Sequence, residues 1–310
     1  MSITYSKLFT LLNKNNISKT ELQKEVGMSS TTMAKLSKNE KVSLSIIEDI
    51  CKILQCQPGD IMELEDTDEY PLLKGLREEK EMKLKGGLYH QTQIKLSYNS
   101  NRIEGSKLSE EQTRYIYETN TIAVPKEEAI FVDDIIETIN HFSCFDYMLK
   151  VADKRLSEDI IKEFHKIIKS NTSDSKKDWF MVGEYKLKPN MVGDKKTVPP
   201  SEVKGQMAKL IADYEEIKNM TFEDIIEFHY KFESIHPFQD GNGRVGRLIM
   251  FKECLRYGIT PFIIDERHKL FYYRGLKEFE NERGYLIDTC YSAQDDYLKI
   301  VNYFMERPED

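Results

Sequence analysis

The fold follows from one stretch of this chain, His236-Pro237-Phe238-Gln239-Asp240-Gly241-Asn242-Gly243-Arg244-Val245-Gly246-Arg247. Gly241 and Gly243 flank Asn242 and allow the backbone to approach an anion closely, because glycine has no Cβ. The apolar run 248–255 predicts a helix after this loop. The first turn of such a helix offers unpaired N–H groups and the positive end of its dipole, so the loop is suited to phosphate.

The charged side chains of the same stretch indicate phosphate chemistry. Arg244 and Arg247 are three residues apart and project from one side of the helix, where both can fork onto phosphate oxygens. Asp240 is a candidate Mg²⁺ ligand, since Mg²⁺ takes one or two carboxylates with phosphate oxygens and water. His236 is a base that is largely neutral near pH 7. A helix cap with two surface arginines would leave His236 and Asp240 without a shared purpose.

The pattern HPFxDGNGRxxR resembles the signature of the Fic family, and all nine fixed positions match. The resemblance implies a mainly α-helical fold with a short hairpin flap, and magnesium-dependent transfer of AMP from ATP to a Ser, Thr or Tyr hydroxyl of a protein, including the chain itself. It implies that His236 accepts the hydroxyl proton and that Asp240 holds Mg²⁺. Asn242 with the amides of the loop would bind the α-phosphate, and Arg244 and Arg247 the β and γ groups.

Residues Ser100 to Gly105 resemble the [S/T]xxxE[G/N] inhibitory motif of Fic proteins whose inhibitory helix precedes the core. On a helix, Ser100 and Glu104 share one face. The resemblance implies that Glu104 pairs with Arg247, cancels the charge meant for the γ-phosphate and leaves ATP in an unproductive pose. A capped helix end with a solvated glutamate is the alternative.

Two further segments resemble family features. Residues 181–187 have strand character, and with a turn at 189–190 and a return at 192–198 they predict a hairpin. The resemblance implies a flap that registers the target segment by main-chain pairing, through Val192, Gly193, Thr197 and Val198; a hairpin without a partner is the alternative. The segment 267–276 resembles the part beside the adenine and ribose, and leaves the choice between Tyr272 and Tyr273 open.

The first sixty residues predict a separate helical unit. Ser18 and Glu21 form a capping box, Gly27 ends that helix, and a second short helix follows. The region resembles Cro/C1-type helix-turn-helix domains, which implies DNA contacts from Ser30, Thr31, Thr32 and Lys35, with Lys38 nearby. Eight lysines against six acidic residues, without arginine, is a weak charge for DNA, so a protein-docking bundle remains the alternative.

Length and charge patterning set the domain boundaries. At 310 residues we expect two folding units. An acidic run closed by Pro71 predicts the linker. We assign residues 1–64 to the helix-turn-helix domain, 65–87 to a linker and connecting helix, 88–108 to the inhibitory helix region and 109–310 to the Fic catalytic domain.

Composition and charge indicate which partners and which cellular compartment to expect. The net charge of −8 argues against a chain coated for nucleic acid or acidic membranes. The sequence shows no membrane-length apolar run and no signal-peptide pattern, so we expect a cytoplasmic protein. Five cysteines without a CxxC pair predict reduced thiols. Zinc is not expected, and we expect His268 to be exposed and His141 and His165 to be ordinary core or surface residues.

Two other functions stay open. The same site can remove AMP from a modified protein, with Glu104 orienting the water. Alternatively, the chain is a transcription regulator in which the Fic region senses a nucleotide. The sequence leaves open the target protein, the DNA operator, a homo-oligomeric state and the signal that relieves inhibition.

Overall fold

The computed structural model describes residues 2–15, 17–37, 40–65, 70–124, 129–193 and 195–305. Backbone contacts divide the chain into two compact units, residues 1–69 and 70–310. The core of the predicted acidic linker, at 66–69, and Lys38 lie outside the described residues. Among those described, no helix has the length and apolar character needed to cross a membrane.

The N-terminal unit consists of five helices and a two-stranded sheet. The helices are α1 (Ser6–Lys14), α2 (Lys19–Val26), α3 (Ser30–Ser37), α4 (Leu44–Leu54) and α5 (Pro58–Ile61). Strands β1 (Ser2–Thr4) and β2 (Glu63–Glu65), which the sequence did not suggest, pair antiparallel and join the two ends of the unit. Apolar residues of every helix meet in one core, which includes Tyr5, Leu8, Leu22, Leu36, Ile50 and Ile61.

The predicted helix boundaries of this unit are confirmed by their caps. Ser18 Oγ accepts a hydrogen bond from the Glu21 amide at 3.2 Å, and the Glu21 carboxylate accepts one from the Ser18 amide at 2.7 Å. Gly27 ends α2 with φ +69°, a left-handed conformation that favours glycine. The helix α2, this tight turn and α3 therefore have the layout of a helix-turn-helix.

The second unit is helical. Its helices are α6 (Pro71–Met82), α7 (Leu88–Ile103), α8 (Glu110–Thr119), α9 (Val132–Lys150), α10 (Glu158–Lys169), α11 (Pro200–Glu215), α12 (Phe222–Ile235), α13 (Asn242–Arg256), α14 (Lys269–Glu278) and α15 (Gly284–Met305). Helix α13 is buried over nearly its whole length and contacts α7, α9, α10 and α12. The sequence motif thus begins the central helix of the core. Leu72, Leu73 and Leu76 of α6 pack into that core.

The predicted first strand of the hairpin, 181–187, is wrong. This segment forms turns, and the hairpin consists only of β3 (Met191–Val192) and β4 (Lys195–Lys196). The backbone of the segment bonds elsewhere: the Gly183 amide donates to His165 Nδ1 at 2.9 Å and the Lys186 amide to the Pro237 carbonyl at 2.9 Å. Because these partners belong to α10 and the motif loop, no strand ladder forms there.

Candidate active site

The motif loop connects α12 to α13 and determines where α12 ends and α13 begins. His236 ends α12 with φ +51°, and Gly241 precedes α13 with φ +82°. The left-handed conformation at Gly241 is unfavourable for residues with a Cβ, so the turn requires glycine. The sharp turn brings His236 and the start of α13 to the same side of the fold.

Asn242 braces this loop. Its Oδ1 accepts from the Phe238 amide at 2.8 Å and its Nδ2 donates to the Phe238 carbonyl at 2.9 Å. The side chain is buried, and both of its polar groups are used. These two bonds fix the loop around the buried Phe238 backbone, and the contact of Asn242 with phosphate stays a prediction.

The side chain of His236 is largely buried. Its Nδ1 is 3.8 Å from Oε2 of Glu233 and has no hydrogen-bond partner among the described residues. Burial and the nearby positive charge of Lys186 lower the pKa of His236 to about 4. The imidazole is therefore neutral near pH 7, the form that can accept a proton.

Glu233 is a feature of the site that the sequence analysis missed. Burial and the charge of Glu104 raise the pKa of this carboxyl to about 8. A Cβ at Gly246 would lie 2.7 Å from His229 and 2.8 Å from Glu233 Oε1, so Gly246 makes room for both side chains. The only sequence signal was the position of Glu233, one helical turn before His236.

Asp240 belongs to a charged cluster. Its Oδ2 accepts from Lys169 Nζ at 2.6 Å and from Arg244 at 3.3 Å, and both cations also pair with Glu137. Burial would raise the pKa of Asp240, but Arg244 and Lys169 outweigh it and lower that pKa to about 2. Asp174 contacts Lys169 at 3.4 Å from the other side.

This cluster fits a divalent cation at Asp240. The side chain of Asp240 is 49% exposed, and no hydrogen bond between described residues uses its Oδ1. An ionised carboxylate with one oxygen anchored and the other free is a suitable Mg²⁺ ligand, with phosphate and water oxygens completing the shell. Lys169 carried a sequence signal that was overlooked, since it continues the buried face of α10 formed by His165 and Ile168.

Arg247 is held by the helix that carries the inhibitory motif. Its Nη2 donates to Glu104 Oε1 at 2.7 Å and to the Ser100 carbonyl at 2.9 Å, and its Nε donates to Ser100 Oγ at 3.1 Å. A Cβ at Gly243 would collide with Glu104 Oε1, so the glycine admits the carboxylate. The structure brings Ser100, Glu104 and Arg247 together, whereas Arg244 pairs with other carboxylates.

A cavity of about 810 Å³ opens in front of these groups. It is lined by the motif, the inhibitory residue, α12, α14 and the hairpin, including His236, Arg247, Glu104, Tyr230, Tyr273 and Val192. Both candidate tyrosines reach it but differ in setting. Tyr272 is buried and its hydroxyl lies 2.6 Å from His229 Nε2, while Tyr273 is 43% exposed and donates to the Ile103 carbonyl at 3.0 Å. Tyr273 is thus the accessible ring.

The hairpin forms one rim of the cavity. Val192, Gly193 and Thr197 line it, whereas Val198 packs against the core instead. Val192 is exposed, and the two-residue strands leave backbone groups at the hairpin edge that a further strand can use.

The histidines outside the motif have structural partners. His165 is buried, stacks on Phe238 at 4.0 Å and lies 3.1 Å from the Asp240 carbonyl, so it supports the motif loop. His141 is also buried, with Ser97 as its partner. His268 was expected to be exposed and is not: its Nδ1 lies 2.7 Å from Asp265, which holds it against α15.

In the N-terminal unit, α3 presents most of the predicted DNA-contact residues. Ser30, Thr31 and Lys35 are exposed. Thr32 is half-buried, and its hydroxyl lies 2.9 Å from Ser29 Oγ at the start of the helix. The free face of α3 thus has three of the four residues.

Comparisons with known families agree with both units. Residues 155–254 match the model of the Fic/DOC family, and residues 7–67 match that of the Cro/C1-type HTH DNA-binding domain. The first match contains α10, the hairpin, α12 and the motif loop. This chain contains a Fic domain.

Curated relatives of the Fic domain are named as enzymes. "Protein adenylyltransferase Fic" of Nematostella vectensis is 30% identical over 182 residues, 57% of this chain and 41% of its own length. "Protein adenylyltransferase fic-1" of Caenorhabditis elegans is 29% identical over 187 residues, 58% of this chain and 35% of its own. The chain thus spans less than half the length of these relatives.

Solved structures show the same fold. A Fic domain containing signaling protein from Bacteroides thetaiotaomicron is 26% identical with a TM-score of 0.56, over 75% of this chain and 90% of that one. Fic-1 of Caenorhabditis elegans, at 17% identity and the same TM-score, covers 97% of this chain and 99% of that one. Glu104 and Tyr273 lie outside the family match, and the fold brings both to the Fic motif.

Proposed function

We propose that this chain is an autoinhibited protein adenylyltransferase that transfers AMP from ATP to a Ser, Thr or Tyr hydroxyl of a protein, including itself. The observation that carries the proposal is the shared cavity. His236, Arg247, Glu104 and the hairpin all face one space of about 810 Å³, which suits a nucleotide and a peptide segment.

The reaction follows from the placement of His236. The acceptor hydroxyl gives its proton to the neutral imidazole while its oxygen bonds to the α-phosphorus, and the bond from that phosphorus to the bridging oxygen breaks to release pyrophosphate. Nε2 is the atom for this proton, since Nδ1 is buried and lies 3.8 Å from the Glu233 carboxylate. Amides at the start of α13 bind phosphate oxygens.

Mg²⁺ would be held by Asp240, where it neutralises phosphate charge. Lys169 anchors Oδ2 of Asp240 at 2.6 Å and thereby orients the carboxylate. Arg247 would contact the γ-phosphate once Glu104 is displaced. Arg244 is buried between Glu137 and Asp240. To contact the β-phosphate as predicted, Arg244 must therefore keep one of these carboxylates as a second partner.

Inhibition rests on the pairing of Glu104 with Arg247. A carboxylate 2.7 Å from the guanidinium removes a phosphate ligand and places a negative charge where the γ-phosphate would lie. ATP then binds in a pose unsuited to in-line attack. Free thiols at all five cysteines and the use of ATP support a cytoplasmic setting for this enzyme.

The test incubates wild type, Glu104→Gly and Glu104→Gly/His236→Ala with α-labelled ATP and Mg²⁺, and follows label on protein. We expect label in the Glu104→Gly protein alone. A folded Glu104→Gly protein that binds ATP yet labels neither itself nor any lysate protein would overturn the proposal. Repetition in EDTA tests the requirement for Mg²⁺.

AMP removal is a second candidate function of the same site. Glu104 and His236 line one cavity, where the carboxylate can orient a water for attack on the phosphorus of a modified side chain. Labelled protein from the Glu104→Gly reaction is the substrate for this test. Loss of label on adding wild type, but not Glu104→Gly, would favour removal.

We further propose that the N-terminal unit binds DNA through α3, as a regulator coupled to the enzyme or to nucleotide sensing. Exposed Ser30, Thr31 and Lys35 support this. The test selects duplexes from a random pool and measures their binding against salt. We expect Lys35→Ala to reduce the salt slope by about one. Lys52→Ala is the control, because Lys52 is paired with Glu48 at 2.9 Å. A pool without enrichment would refute the idea.

A further inference from the structure

Lys186 is a buried lysine that the proposed reaction does not use. Its side chain is 3% exposed. Its Nζ donates to Thr197 Oγ1 at 2.6 Å, to Asn190 Oδ1 at 2.8 Å and to the Ile235 carbonyl at 3.4 Å. No carboxylate pairs with it among the described residues. Burial lowers its pKa to about 8.

The three acceptors belong to different parts of the site. Asn190 and Thr197 stand on either side of the hairpin 191–196, and Ile235 precedes His236. The Lys186 amide donates to the Pro237 carbonyl at 2.9 Å, and Asn190 Nδ2 donates to the Phe238 carbonyl at 3.1 Å. One side chain therefore ties both ends of the hairpin to the loop that carries the histidine.

The free-energy cost of burying the Lys186 ammonium group indicates that this residue has a specific role. Burying an ammonium group without a carboxylate is costly, and neutral oxygens offset only part of the desolvation. Packing alone would be served better by an apolar side chain of the same length. The three donors of an ammonium suit three oxygens on separate segments, which no apolar residue can hold together.

We propose that Lys186 is a positioning residue, which holds the hairpin in register with His236 so that an acceptor segment lying along the hairpin presents its hydroxyl to the imidazole. This rests on the proposed adenylyl transfer. Lys186 does not line the cavity, so its replacement affects the protein acceptor and leaves the ATP site in place.

The experiment places Lys186→Met in the Glu104→Gly protein, with Lys188→Met as the matched control. Lys188 is exposed, and its Nζ lies over the Trp179 ring at 4.9 Å. The acceptor is the full chain carrying His236→Ala, which cannot modify itself, and its concentration is varied at saturating MgATP. The dependence on ATP concentration and the amide hydrogen exchange of 191–197 and of α13 are measured in parallel.

We expect Lys186→Met to raise the KM for the acceptor by about tenfold, since hydrogen bonds from a charged donor are lost. The KM for ATP should stay within about twofold, and exchange should quicken in 191–197 but not in α13. Lys188→Met should change none of these. An unchanged acceptor KM, or a KM for ATP that rises in parallel, would overturn the proposal.

A second variant keeps the test decisive if Lys186→Met does not fold. Asn190→Ala removes one acceptor of Lys186 at a residue that does not line the cavity, and we expect the same shift in acceptor KM and exchange, with a smaller size. If the Glu104→Gly protein labels nothing, adenylyl transfer has failed, and hydrogen exchange alone decides the placement by Lys186: equal rates with and without the substitution refute it.

Discussion

Nη2 of Arg247 lies 2.7 Å from Oε1 of Glu104, although the two residues are 143 positions apart in the chain. The guanidinium is buried, and Ser100 supplies two further oxygens to it. The arginine that the proposed reaction needs for phosphate is thus held by α7 and its end through Nε and Nη2. Release of this contact is the step on which the proposed activity would depend.

Ser100→Ala should release inhibition in part. The hydroxyl that accepts from Arg247 Nε at 3.1 Å is lost while Glu104 remains. A hydrogen bond from a charged group is worth about 1.5–3 kcal/mol, so labelling should rise by about 10- to 150-fold and stay below that of Glu104→Gly. Ser143→Ala, on the exposed face of α9, is the control. Labelling equal to wild type would show that Glu104 alone holds the arginine.

Asn242→Ala should destabilise the second unit. Two buried hydrogen bonds to the Phe238 backbone are lost, and the stranded groups cost about 1–3 kcal/mol. Urea or thermal unfolding measures the loss. Asn281→Ala, at an exposed position, should change stability by less than about 0.5 kcal/mol. If Asn242→Ala retains full stability but loses ATP binding, the role of Asn242 in fixing the loop is refuted.

Lys169 and Lys166, both in α10, provide a test variant and its matched control for the Asp240 cluster. Lys169→Met leaves Asp174 without this buried cation and leaves Glu137 and Asp240 with Arg244 alone, which should cost up to about 3–5 kcal/mol. Lys166→Met removes an exposed lysine whose ion pair with Glu163 contributes about 0–1 kcal/mol. Unfolding in urea compares them. Equal stability of the two variants would mean that the Asp240 cluster is not held by Lys169.

Stability should fall in mild acid. Burial lowers the pKa of His141 and His229 to about 3 and, with Lys186, that of His236 to about 4. The unfolded chain protonates these groups near pH 6.5, so it binds more protons than the folded chain between about pH 6.5 and 4. The free energy of unfolding should therefore decrease as the pH falls through that range. A flat profile from pH 7 to 4.5 would contradict the burial of these rings.

Glu233→Gln should stabilise the fold, and the gain should grow as the pH rises from about 4.5 to about 8. The pKa of Glu233 is raised to about 8, so the folded chain holds a proton that the unfolded chain loses near pH 4.5. Glutamine mimics the neutral acid, hence the variant should match wild type at about pH 4 and exceed its stability at pH 7 and, by more, at pH 9. Glu216→Gln, where no such burial exists, should show no difference at any of these pH values. Equal melting temperatures of Glu233→Gln and wild type at pH 9 would refute the raised pKa.

Much of the fold was predictable because its signals are local. The capping box of Ser18 and Glu21 and the left-handed Gly27 specify the ends of α2 within a few residues. The helix Val132–Lys150 has an apolar period that needs no distant partner to be recognised in the sequence. The strand prediction for 181–187 failed for the opposite reason, because the amides of this segment bond to His165, 18 residues before Gly183, and to Pro237, about 50 residues after Lys186.

The residues of the site also form two groups, those that the sequence predicts and those that only the tertiary structure reveals. The sequence by itself determined the motif loop, since the glycines, Asn242 and the helix start interact within a few positions of one another. The juxtaposition of Glu104 and Arg247 was expected only from a family resemblance. Glu233, Lys169 and Lys186 became visible only in the tertiary structure, because a charged side chain looks solvated in sequence until packing removes its water. Burial and the oxygens around each such group are properties of helices brought together from distant parts of the chain, and they decided which charges form the site.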